Sequence, residues 1–163
     1  NGCISMSVNN YEAYFSMCMA YLDIGGFSSK KDDNTGEYQN AVAYQLYHAL
    51  ELFVKYAILK STGNLKKIHD FSKLFSEYDS LYPEDEFRIE HPFDFTSYEP
   101  CELNIGEQEM YEKHINQFKP EIMDQHLRYP SDNKTGGYSY KIDGNYFNLT
   151  KEKLMAIYSK INC

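Results

Sequence analysis

An all-α fold of about five helices with a small C-terminal β-hairpin is the class this sequence predicts, on three observations. The run from Glu37 to Thr62 contains neither glycine nor proline and stops at Gly63. Shorter apolar patterns at three- and four-residue spacing flank it at 11–22, 71–81 and 154–161. One stretch, 138–149, carries the alternation and turn signal of paired strands.

The first helix is read from Tyr11, Tyr14, Phe15, Cys18, Tyr21 and Leu22, with Asn9 and Glu12 as a capping-box-like start and Gly25-Gly26 as the stop. A polar loop over 28–36 follows, and Asn34 with Glu37 caps the next start. The Glu37–Thr62 run would be about 39 Å long at 1.5 Å per residue. At about 100° per residue, Val42, Leu46, Ala49, Phe53 and Tyr56 fall on one line, flanked by Leu50, Leu52, Ala57 and Leu59. Tyr47, Val54 and Ile58 are apolar on another side, so this helix is the spine of the fold and touches several neighbours.

Asp70 to Tyr82 forms a third helix with Phe71, Leu74, Phe75, Tyr78 and Leu81 on one face, ended by Pro83. Three prolines, Pro83, Pro92 and Pro100, make 83–105 an irregular, partly extended crossover. Glu107 to Leu127 is helical again, with Tyr111, Ile115, Phe118 and Ile122 in register and a bend at Pro120. Tyr138–Ile142 and Asn145–Leu149 flank Asp143-Gly144, the two-residue signal of a type I′ hairpin. Thr150 caps the last helix, Leu149 and Leu154 form a hydrophobic staple, and Leu154, Ile157, Tyr158 and Ile161 face inward. With no internal repeat or low-complexity tract, residues 1–163 read as a single domain.

Aromatics make up 16% of the chain, with 16 Tyr, 10 Phe and no Trp, so rings fill much of the interior and buried tyrosine hydroxyls need partners. A formal charge of -8 opposes non-specific DNA binding. Cys3, Cys18, Cys101 and Cys163 form no Cys-x-x-Cys pair, which argues against a zinc site or a disulfide framework and for free thiols in the cytoplasm. No apolar run reaches the roughly 20 residues that span a bilayer, so no membrane association is expected. The glycine-rich nucleotide loops, the Gly-x-Ser-x-Gly elbow and His-Glu-x-x-His are all missing, and a paired-carboxylate metal centre would need two Glu-x-x-His motifs. No cofactor and no metal are expected.

Tyr44, His48, Glu51 and Lys55, spaced four, three and four apart, lie on one narrow stripe of the otherwise apolar spine. One reading makes Glu51 and Lys55 a solvent-facing pair with His48 beside them. The other has the stripe face a cleft or subunit interface, where His48 titrates near neutrality and Lys55 holds an anion. His69 precedes Asp70, the N-cap of the third helix, and is either structural or part of the same site. In His126-Leu-Arg-Tyr-Pro-Ser-Asp132, Pro130 forces the helix to end, which sets Arg128 and Tyr129 at a turn with Asp132 beyond. Arg88 and Arg128 are the only arginines, and Arg128 suits either a carboxylate clamp or ligand recognition.

The run Tyr47-His-Ala-Leu-Glu-Leu-Phe-Val-Lys-Tyr-Ala-Ile-Leu-Lys-Ser-Thr-Gly63, followed by His69-Asp70-Phe71 and Leu74, resembles the HEPN domains of prokaryotic toxin–antitoxin, phage-defence and related conflict systems. Leu127-Arg-Tyr-Pro-Ser-Asp132 is similar to a turn of one branch of that family. The resemblance implies an up-and-down helical bundle, often a homodimer, with a groove that in many members binds or cuts RNA. Cutting members carry an Arg followed, after four to six residues, by His. Here only Ile89 and Glu90 separate Arg88 from His91, and no histidine follows Arg128. The expectation is therefore a non-nucleolytic binding domain that recognises a nucleotide, an RNA end or a partner protein through Tyr44, His48, Glu51, Lys55, His69, Arg128, Tyr129 and Asp132. The alternatives are a metal-independent ribonuclease using His48 with Arg128 or Lys55, and a structural dimerisation scaffold.

Overall fold

The computed structural model describes residues 10–93, 106, 108–109, 123–130 and 140–163. Five helices with defined bounds are α1 (Tyr11–Ser28), α2 (Gly36–Thr62), α3 (Phe71–Leu81), α4 (Met123–Arg128) and α5 (Gly144–Ile161), with a 3-10 turn at Asp85–Phe87. The described residues contain no strand. α2 lies at the centre and packs against α1, α3, α4 and α5, while α1 also packs on α5.

The central position of α2 follows from its composition. Every residue from Ala49 to Leu59 is buried, on all sides of the helix, and only an element surrounded by others can bury its whole circumference. Its ends are set locally. Thr35 is the N-cap and its hydroxyl accepts from the Tyr38 amide at 3.4 Å, one residue beyond the expected Asn34. Gly63 closes the other end in the left-handed region at φ 71°, with its N–H on the Leu59 carbonyl. Asp70 caps α3 as expected, accepting from the Lys73 amide at 3.1 Å.

Rings hold the helices to one another. Phe15 of α1 stacks on Tyr158 of α5 at 3.9 Å, and both lie against Tyr56 of α2. The buried tyrosines have hydroxyl partners: Tyr56 accepts from the Asn162 amide group at 2.7 Å, and Tyr78 donates to the Phe87 carbonyl at 2.7 Å. Tyr82 donates to the Ala57 carbonyl at 3.0 Å. No buried side-chain nitrogen or oxygen among the described residues lacks a partner.

Two expectations are corrected. The hairpin is not formed: Gly144–Leu149 is the first part of α5, and Asp143 is its N-cap, accepting from the Asn145 amide at 2.9 Å. Asp-Gly suits a tight turn and a helix start equally well, and the packing of Phe147 against α1 selects the helix. Thr150 consequently sits inside α5 and Leu149 is exposed on it. Gly25-Gly26 does not end α1, which runs through both to Ser28. Phe147 lies directly on this pair, and a methyl group at Gly25 would overlap its ring, so the glycines here serve close packing.

The bend at Pro120, the first hairpin strand at 138–139, most of 107–122 and Asp132 lie outside the described residues. Cys18 is buried and Cys163 exposed, both as free thiols, while Cys3 and Cys101 also lie outside. No helix among the described residues is long and apolar enough to cross a membrane.

Candidate functional site

The polar stripe of α2 is organised around Glu51. Glu51 is 3% exposed, and Lys55, one turn on, is 6% exposed, so the pair is internal and not the solvent-facing arrangement considered from sequence. Lys55 Nζ donates to Glu51 Oε1 at 2.8 Å. His48 Nδ1 lies 3.2 Å from Oε2, and His69 Nδ1 lies 2.7 Å from Oε1. One carboxylate thus gathers a lysine and two histidines, and spacing on α2 accounts for all but His69.

His69 arrives from the loop between α2 and α3. Asp70 starts α3 beside α2, and the Tyr47 hydroxyl donates to the His69 carbonyl at 3.4 Å. Burial by itself would raise the Glu51 pKa, but the hydrogen bonds from His48, Lys55 and His69 and the positive charge of Lys55 outweigh it. The carboxyl is held down at about 2. Glu51 is therefore ionised and can only accept, which requires each histidine to carry a proton on Nδ1. The ring of His69 is largely exposed, that of His48 partly so.

A second arm extends from His48. Its ring lies parallel to Tyr44, 5.6 Å centre to centre at 9°, and edge-on to Tyr21 of α1 at 4.6 Å. The Arg128 guanidinium, at the end of α4, sits 5.9 Å over the Tyr44 ring and 5.5 Å from that of Tyr129, which is exposed. Arg128 also donates to Asp124 at 2.8 Å. Burial raises the Tyr44 pKa even though the Arg128 charge pulls it down, so the phenol is neutral at physiological pH.

The structure thus brings together Tyr44, His48, Glu51, Lys55, His69 and Arg128, with Tyr129 at the rim. Sequence reasoning did not anticipate Tyr21 or Asp124. Asp124 stands four residues before Arg128, the spacing of a helical ion pair, which was a legible signal. Tyr21 gave none, because it belongs to the apolar pattern of α1. No group of three or more His, Cys, Asp or Glu among the described residues is placed to hold a metal ion.

A mostly helical chain wound around one buried central helix, with a carboxylate-centred polar seam along that helix, is the class of protein these features define. Residues 27–98 match the family model described as the HEPN domain. This stretch is similar to the HEPN domain; it contains α2, α3 and the seam from Tyr44 to His69, whereas Tyr21 and Arg128 come from outside the matched stretch. No curated protein and no solved structure matches the chain.

Proposed function

We propose that this chain is a HEPN-like binding domain that recognises a nucleotide or an RNA end at the seam. One arrangement supports the reading: Arg128 lies on Tyr44 and Tyr44 on His48, in series, with His48 anchored from below by ionised Glu51. A guanidinium offers a planar fork to phosphate, and Asp124 occupies only part of it. The exposed ring of Tyr129 suits a base, at about 1–3 kcal/mol per stacked base, while Tyr44 holds Arg128 in place. Lys55 is committed to Glu51, so its role is to neutralise the seam and not to hold the phosphate. A chain charge of -8 disfavours long polyanions and favours a short, locally held ligand. We take residues 1–163 as one domain acting as a homodimer in a phage-defence or toxin–antitoxin setting, with a protein partner as the competing ligand class.

The test is fluorescence anisotropy with a short 5′-phosphorylated single-stranded RNA and with AMP as competitor, at about 50 and 200 mM salt. Binding that weakens with salt and drops about tenfold or more in Arg128→Ala and Tyr44→Ala is expected. Affinity that is absent, or indifferent to both substitutions, refutes the reading.

A ribonuclease reading is favoured by a separate observation, the two Nδ1-anchored histidines on one carboxylate. One imidazole, neutral at Nε2, could take the proton of a ribose 2′-hydroxyl as that oxygen bonds to phosphorus, and the other, protonated at Nε2, give one to the 5′-oxygen as its bond to phosphorus breaks. RNA cleavage that survives His48→Ala and His69→Ala unchanged excludes it.

A further inference from the structure

Beyond the seam, the segment from Glu84 to His91 is a strap pinned between α3 and α5. The Phe87 carbonyl accepts from Tyr78 at 2.7 Å, and the Glu86 carbonyl accepts from Lys153 at 3.2 Å. The Glu86 carboxylate pairs with Lys160 at 2.6 Å, and Glu90 accepts from the Tyr146 hydroxyl at 3.2 Å. Burial, with the neighbouring Glu90 charge, pushes the Tyr146 pKa up to about 12, so this hydroxyl keeps its proton and its bond. Like Glu84, two further charged side chains of the strap take no part: Asp85 and Arg88 are exposed, and neither makes a side-chain ion pair or hydrogen bond among the described residues.

Both line a cleft of about 550 Å³ whose apolar wall is Leu50, Ile89, Leu149 and Leu154. That volume lies within the usual range for small-molecule sites, about 300–1,000 Å³. Arg88 and Asp85 also border an adjoining cleft of about 440 Å³, where Asp79, Glu84 and Glu90 make the lining acidic. A polyphosphate meets more carboxylates than cations here, whereas a ligand carrying one charge of each sign finds a partner for both. We infer that this groove binds a small zwitterion with an apolar body, a free apolar amino acid or a dipeptide. Its carboxylate lies on Arg88, its ammonium among Asp85 and the neighbouring carboxylates, and its side chain against Ile89 and Leu154. The planar fork of Arg88 pairs with a carboxylate through two parallel hydrogen bonds, and the strap's pinned ends hold the backbone that carries it in place.

The experiment is a titration of the ¹⁵N-labelled chain with L-leucine and with L-leucyl-L-leucine, followed by amide chemical shifts. N-acetyl-leucine amide, which has the same apolar body and no charges, is the comparator. Saturable shifts at Ile89, Glu90 and Leu154 for one zwitterion or both, at least about tenfold weaker for the comparator and in Arg88→Gln and Asp85→Asn, are expected. Whichever of the two probes binds more tightly identifies the source. Both variants change exposed side chains and are expected to keep the wild-type spectrum elsewhere, so lost binding is not lost folding. The inference is overturned by shifts that fail to saturate at about 10 mM, by equal affinity for the comparator, or by indifference to Arg88→Gln. Tyr44→Ala, which tests the seam, is expected to leave this titration unchanged.

Discussion

Replacing Glu51 by alanine removes the acceptor shared by Lys55, His48 and His69, and Lys55 remains 6% exposed with nothing to balance its charge. Breaking a buried ion pair from one side costs about 3–5 kcal/mol, most of it the stranded charge. For a chain of this size each kcal/mol moves Tm by about 2–4 °C, so a fall of about 6–20 °C is expected in thermal unfolding followed by circular dichroism. The double variant Glu51→Gln with Lys55→Met should recover most of that loss, since it removes the charge as well as its partner. The pH dependence supplies an independent check with a definite sign. Because the folded-state pKa of Glu51 is held at about 2, below its ordinary 4.5, the carboxylate's contribution is complete above pH 4.5 and is lost as pH falls towards 2. That contribution is about 3 kcal/mol from the size of the shift. Glu51→Gln should flatten this part of the stability profile. A Glu51→Ala protein within about 1 kcal/mol of wild type, or an acid limb unchanged in Glu51→Gln, would show that the carboxylate does not sustain the buried lysine.

Gly25→Ala should destabilise by about 1–3 kcal/mol in urea unfolding, because the added methyl meets the Phe147 ring; combining it with Phe147→Leu should restore part of the loss. Asp143→Ala should cost about 1 kcal/mol through loss of the α5 cap, whereas Asp143→Asn or Ser should be nearly neutral. Arg128→Ala, at an exposed site, should leave stability within about 0.5 kcal/mol while reducing RNA or nucleotide binding, so that the two readouts separate.

The helices are legible in the sequence wherever a local rule operates. The run from Glu37 to Thr62 contains neither glycine nor proline, and its apolar residues lie on more than one side, so both the element and its central place could be read directly. Asp70 followed by Phe71, Leu74 and Phe75 fixed the start and inner face of α3 in the same way. The spacing of Tyr44, His48, Glu51 and Lys55 also put four polar tips on one line. Local rules failed where two structures share one signal. Asp143-Gly144 satisfies a hairpin turn and a helix cap alike, and Gly25-Gly26 can end a helix or admit a neighbour's ring.

Sequence by itself determined most of α1, α2 and α3, the later part of α5 and which side of α2 carries polar groups, because periodicity and caps act over a few residues. Tertiary structure alone decided that His69 and Tyr21 close around His48 and Glu51, that Arg128 lies over Tyr44, and that Lys55 is internal. Those contacts and that burial depend on elements distant along the chain, and the angle and depth at which helices meet depend on the shapes of all the side chains between them.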